Sequence, residues 1–218
     1  MEKVSQDMWI IGFGRFGQLA LQRLLHRNKV SRVLVVDTAV ESLVQDYPDI
    51  DFISEEGVKF LSHRLSPECL PQWIVPAVPL HLAAEWILAT VGPSHTQRIE
   101  LPGGIKEYVP SLMQGPRGDA YLSLATFKCP DDCPEPADYC TATQERRKEN
   151  LFDILKRIQI NGFKPLVLRS HQLAPGVGGF KATDLIQAQK ALLQSKGKYL
   201  LSTACRCHGV VTPIKSYA

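Results

Sequence analysis

Three glycines and an aspartate carry the first chemistry that can be read from the chain. Gly12, Gly14 and Gly17 fit G-x-G-x-x-G within Trp9-Ile10-Ile11-Gly12-Phe13-Gly14-Arg15-Phe16-Gly17-Gln18. In that pattern the first glycine permits a tight turn. The second lets the backbone approach a pyrophosphate, and the third lets a helix pack closely on a strand. The helix N-terminus then presents free N–H groups and a positive dipole end to the phosphates. Asp37 stands 20 residues beyond Gly17, where a carboxylate accepts hydrogen bonds from the adenosine ribose. The same charge repels a 2′-phosphate, and no arginine follows in Thr38-Ala39-Val40-Glu41. The ligand expected is therefore NAD(H) or another adenine nucleotide, with NAD favoured over NADP. S-adenosylmethionine is the main competitor, since its sites also use a glycine turn and an acid.

The second chemical feature is sulfur. Cys129, Cys133 and Cys140 follow C-x3-C-x6-C in a loop held open by Pro130, Pro134 and Pro136. Cys205 and Cys207 lie near the end of the chain. If Tyr199 to Val211 is one extended strand, both fall on one face, with Arg206 and His208 on the other. A sheet could bring that face beside the loop, so that five thiolates serve one zinc or iron–sulfur site. Buried or redox-active free thiols are the alternative, as is a disulfide-forming sensor. Cys69 stands apart and reads as structural. A third candidate is Arg169 to Lys181, a glycine-rich loop between a strand and a helix. Arg169, His171 and Lys181 would add donors there, with His171 as a general acid or base. The bland reading is a surface loop with a solvated histidine.

The elements that must position these residues follow from hydrophobic patterning. Met8 to Ile11 reads as a buried parallel strand, Phe16 to Arg27 as a helix, and Arg32 to Val36 as a second strand closed by Asp37. Ile50 to Ser54 and Trp73 to Val78 read as strands 3 and 4. Leu80 to Thr90 reads as a helix with Trp86 in the core. Gly92 to Gly118 is broken by prolines and glycines and reads as a linker. Beyond it come a strand at Ala120 to Phe127, a helix at Thr143 to Ile160 stopped by Asn161-Gly162, and a strand at Leu166 to Arg169. A helix from Thr183, its N-cap, to Gln194 follows. The fold class expected is α/β, a Rossmann-like doubly wound parallel sheet with a smaller C-terminal α/β extension. The expected divisions are an NAD-binding domain over 1–91, a linker over 92–118 and a C-terminal lobe with the cysteine loop over 119–218.

Gly12-Phe13-Gly14-Arg15-Phe16-Gly17-Gln18, then Arg23-Leu24-Leu25 and Val35-Val36-Asp37, resembles the KTN (TrkA-N) regulatory domains of bacterial potassium uptake and efflux systems. The resemblance covers residues 8–90. It implies a Rossmann fold, a homodimer and association with a separate membrane transporter. By resemblance Gly12, Gly14, Arg15, Phe16, Gly17 and Asp37 are nucleotide contacts, and Ala77 and Val78 at the end of strand 4 line the cofactor cleft; Phe13 and Thr38, beside them in sequence, complete the expected cofactor-binding set. Glu55-Glu56-Gly57 departs from the family's Gly-Asp-Ala.

Composition excludes several classes. Lys+Arg 25 against Asp+Glu 22 leaves +3, too weak a bias for nucleic acid. No apolar run is long enough to cross a bilayer, and Met1 to Asp7 has no signal-peptide h-region. A cytoplasmic location with reduced cysteines is the expectation. Two functions fit: a nucleotide-responsive regulator, or a small NAD-dependent oxidoreductase with a cysteine-bound metal or cluster.

Overall fold

The computed structural model describes residues 7–26, 32–40, 47, 50–160 and 162–218. Its architecture is α/β, with two mixed sheets sharing one core. Strand β1 (Asp7–Ile11) is flanked by parallel β2 (Arg32–Asp37) and parallel β4 (Trp73–Pro76). Parallel β3 (Asp51–Ser54) adds beyond β2. The sheet continues into the C-terminal half: β10 (Val177–Lys181) runs antiparallel to β4, and β9 (His171–Ala174) antiparallel to β10. The strand order is β3-β2-β1-β4-β10-β9.

Alternation along β1 sends its side chains to two cores. Met8 and Ile10 join Ala20, Leu21 and Leu24 of α1 (Arg15–Leu25) on one face. Trp9 and Ile11 join three helices on the other: α2 (Gly57–Arg64), α3 (Leu82–Val91) and α5 (Ala182–Gln194). Trp86 is indeed core, in contact with that second cluster.

The second sheet has the order β6-β7-β12-β11-β8, with β5 (Thr96–Arg98) pairing on β12. Its members are β6 (Ser111–Gln114), β7 (Ala120–Ser123), β8 (Phe163–Arg169), β11 (Gly197–Ala204) and β12 (His208–Ser216). Only the β11–β8 pairing is parallel. Leu168, Tyr199, Leu201 and Ile214 of this sheet pack into the cluster that holds Ile74 and Phe180 of the first, so the sheets share apolar contacts. A short helix, α4 (Leu151–Lys156), and a 3-10 turn over Gly103–Tyr108 cover its other face. Among the described residues no helix is long and apolar enough to cross a membrane.

Four local expectations are corrected. Tyr199 to Val211 is not one strand but two, β11 and β12, joined through Cys205-Arg206-Cys207. The helix expected over Thr143 to Ile160 shrinks to α4. Its first half is instead tied back to the cysteine loop, with Arg147 N donating to Asp138 O and Cys140 N to Glu145 O. The glycine-rich segment after Arg169 is a hairpin, β9–β10, turning at Pro175-Gly176. Gly176 has φ +67°, the left-handed conformation that the residue after proline takes in a type II turn. Thr183 lies inside α5 and caps nothing; Lys181 holds the cap position without a side-chain bond. The 92–118 stretch carries β5, the 3-10 turn and β6. Arg27 and Asn161, expected at helix ends, lie outside the described residues.

Candidate functional site

The glycine turn sits where β1 hands over to α1, at the C-terminal end of the parallel strands. Gly12 N donates to Val36 O at 2.8 Å, and Ala77 N to Ile11 O at 2.8 Å, so the ends of β1, β2 and β4 close around it. Each glycine answers a different demand. Gly12 has φ +98°, and a Cβ there would stand 2.6 Å from Ala77 O and 2.8 Å from Val78 Cγ1. A Cβ on Gly17 would collide with the carbonyl oxygen of Gly12. Gly14 is exposed and has nothing within 4 Å of such a Cβ. Two glycines are thus forced by packing, and the middle one leaves open space over the first turn of α1.

Around the turn, Asp37 accepts from Phe13 N at 2.6 Å and from Ala39 N at 3.0 Å. A carboxylate has about four acceptor positions, which leaves lone pairs for a ligand. The Phe13 ring is buried against Phe52 and Tyr47, so this residue reaches the site only through its backbone. Thr38 is exposed beside Asp37. Ala77 and Val78 line the turn from the β4 side. Arg15 and Phe16 project outward from the first turn of α1, the guanidinium 5.5 Å from the ring centroid.

Arg15 does not stand free. It pairs with Asp131 of the cysteine loop. Arg23, two turns further along α1, donates to Asp131 O and to Pro175 O, both at 2.8 Å. The β9–β10 hairpin grips the same loop: Gly176 N donates to Cys133 O at 3.0 Å, and Gln172 Nε2 to the same oxygen at 2.6 Å. A Cβ on Gly176 would collide with Asp131 O, so glycine there is a condition for the loop to dock.

These contacts border an open cavity of about 630 Å³ whose wall includes Phe16, Gln172 and all five cysteines named from sequence, Cys129, Cys133, Cys140, Cys205 and Cys207. Loop and hairpin supply them separately. Cys205 and Cys207 are brought in by the β11–β12 turn, where Cys205 N donates to His208 O and Leu124 N to Cys207 O. Arg206 N is fixed by Glu135. The Cys205 sulfur accepts N–H groups from Cys207 and His208 at 3.5 and 3.3 Å. Arg147 lays a guanidinium N–H on the Cys207 sulfur at 2.6 Å. Burial pushes the Cys205 thiol up to about 12 and raises Cys129 and Cys207, while backbone N–H groups of Thr143 and Ala142 help lower Cys140. Cys69 is exposed and stands outside this wall.

The Arg169 to Lys181 candidates do not meet there. His171 packs on Trp73, ring centroids 5.1 Å apart, and partial burial holds its pKa below the ordinary value. Arg169 lies over Phe152 and Lys181 over Trp73. Ser170 and Gln172, on the alternate face of the hairpin, line the cavity instead. The Pro175-Gly176 dipeptide is the signal that could have placed them. Asp131, Glu135 and Arg147 were also missed as cavity residues.

A separate buried network ties the start of α3 to the second sheet. His81 Nδ1 and Nε2 lie 2.7 Å from Thr212 Oγ1 and 2.9 Å from Thr203 Oγ1. Thr212 donates onward to Asp119, which pairs with Arg98. That direction makes His81 Nδ1 the donor and Nε2 the acceptor, a neutral imidazole. Burial lowers its pKa to about 4.

Residues 83–216 match a family model described as "Uncharacterized protein, C-terminal domain". An Archaeoglobus fulgidus "Uncharacterized protein" is 30% identical over 219 residues, spanning 94% of this chain and 98% of that one. No solved structure matches. These matches overturn the resemblance to the KTN potassium-transport domains. The glycine motif and terminal acid that carried it are shared by many nucleotide-binding turns, whereas the archaeal match runs through both halves of the chain.

Proposed function

The chain belongs to the family whose C-terminal domain spans residues 83–216, and we propose that within it this protein binds an adenine dinucleotide, NAD(H), at the Gly12 to Gly17 turn. The observation that carries the reading is the division of labour among the glycines: Gly12 and Gly17 leave no room for a side chain, while Gly14 faces open space. That is the cradle a pyrophosphate needs over a helix N-terminus. The parallel order β3-β2-β1-β4 with helices on both faces supports a Rossmann-like reading of this half. Gly14 and the first N–H groups of α1 would hold the pyrophosphate, and Asp37 the adenosine ribose. Such a cofactor supplies hydride chemistry when bound.

A second reading, an NAD-dependent oxidoreductase rather than a nucleotide-responsive regulator, is favoured by the cysteine-lined cavity whose wall includes Phe16 of the same turn. Fluorescence titration with NADH tests the proposal. Saturable binding is expected, weaker NADPH binding beside it, and at least a 10-fold loss of affinity in Gly14→Ala with unchanged melting temperature. Absence of binding by any adenine dinucleotide removes it. NADH-dependent reduction of an acceptor dye separates oxidoreductase from regulator.

A further inference from the structure

We propose that Cys129, Cys133, Cys140 and Cys207 ligate an iron–sulfur cluster in the cavity beside the glycine turn. This goes beyond the dinucleotide reading and does not depend on it.

The first support is convergence. The loop cysteines and the β11–β12 turn come from segments some 65 residues or more apart in sequence, yet their thiols line one cavity. Convergence of that many sulfurs exceeds what packing alone requires of small apolar side chains. Five thiols line the wall and a cluster takes four; Cys205 is the one whose sulfur is held by its own turn, through N–H groups of Cys207 and His208.

The second support is the environment of the sulfurs. Arg147 donates to the Cys207 sulfur, and Thr141 Oγ1 stands 3.6 Å from the Cys133 sulfur. Donors on sulfur stabilise thiolates and tune cluster potential. Arg147 also donates to Pro136 O and Tyr139 O, which locks this cation into the loop. Its charge offsets part of the negative charge that four thiolates bring.

The lining bears on the kind of centre. A zinc–sulfur bond of about 2.3 Å draws four sulfurs within about 4 Å of one another. Among the described residues no three Cys, His, Asp or Glu side chains gather into such a shell. The thiols instead stand around a volume of about 630 Å³. Ligands spread around a volume suit a polynuclear core, in which each thiolate binds its own iron or shares one of two.

The test uses the full chain, purified without oxygen and reconstituted with ferrous iron and sulfide. Expected are iron and acid-labile sulfide in near-equal amounts, visible charge-transfer absorption, and an electron paramagnetic resonance signal in one oxidation state. Cys129→Ser, Cys133→Ser, Cys140→Ser and Cys207→Ser should each lower iron affinity at least about 10-fold. Cys69→Ser and Cys205→Ser should keep the cluster. The spectra of the unaltered chain decide the matter even where a variant misfolds. Stoichiometric zinc with no iron, or six titratable thiols and no metal after reconstitution, overturns the proposal. Iron loss from Cys205→Ser as complete as from the other four overturns the ligand assignment. NADH titration of the same samples keeps this outcome separate from that of the dinucleotide reading.

Discussion

At the scale of single residues, the glycine turn makes opposite predictions for neighbours that look alike in sequence. Gly17→Ala forces a Cβ into the carbonyl of Gly12 and should cost about 2–4 kcal/mol. Gly14→Ala meets nothing and should stay within about 0.5 kcal/mol of the parent. Urea denaturation of the two variants checks both. His81 gives a pH dependence with a definite sign. Its pKa is about 4 in the fold against 6.5 ordinarily, so between those values the unfolded chain binds more protons. The contribution is complete above about pH 6.5 and is lost as the pH falls toward 4, on the order of 3 kcal/mol. Stability curves from pH 7 to 4 should show this slope, and His81→Gln should flatten it. The glycine triad was legible because its spacing encodes local geometry. His81 was not, because its partners Thr203 and Thr212 stand more than a hundred residues away.

Among the elements, the β9–β10 hairpin does the positioning. Its turn residue Gly176 lies against Asp131 O, and its Gln172 holds Cys133 O. Gly176→Ala should push the cysteine loop off the hairpin. The cavity thiols should then react with a disulfide reagent at least 10-fold faster, while Cys69, exposed from the start, reacts as before. Why the sequence misplaced this region is physical. The turn at Cys205-Arg206-Cys207 contains no glycine, proline or asparagine. It is set by bonds to a sulfur and by Glu135, 71 residues distant along the chain. Local periodicity therefore continued the strand through it. The helix expected from Thr143 failed for a similar reason: Arg147 is claimed by Cys207, Pro136 and Tyr139 before it can serve a helix. The cysteines themselves were legible as a group, since their number and proline-rich spacing needed no correct strand assignment.

For the molecule as a whole, the consequential fact is that the first sheet is finished by the second half of the chain. Phe180 pairs with Ile74, and Lys181 with Trp73, in antiparallel register. A fragment ending at residue 91 keeps four parallel strands but loses β10, Phe180 and the apolar face of α5. It should fail to unfold cooperatively, which circular dichroism during heating would register. This sharing also governs how the protein is made. Residues of β10 follow those of β4 by about 100 positions, and a ribosome adds about 5–20 residues per second. For roughly 5–20 s the edge of β4, with Ile74 and Val75, waits unpaired while its partner is still being synthesised. Nascent chains at that length are the stage at which this protein most needs a chaperone, and slowing translation between residues 92 and 176 should lower its soluble yield.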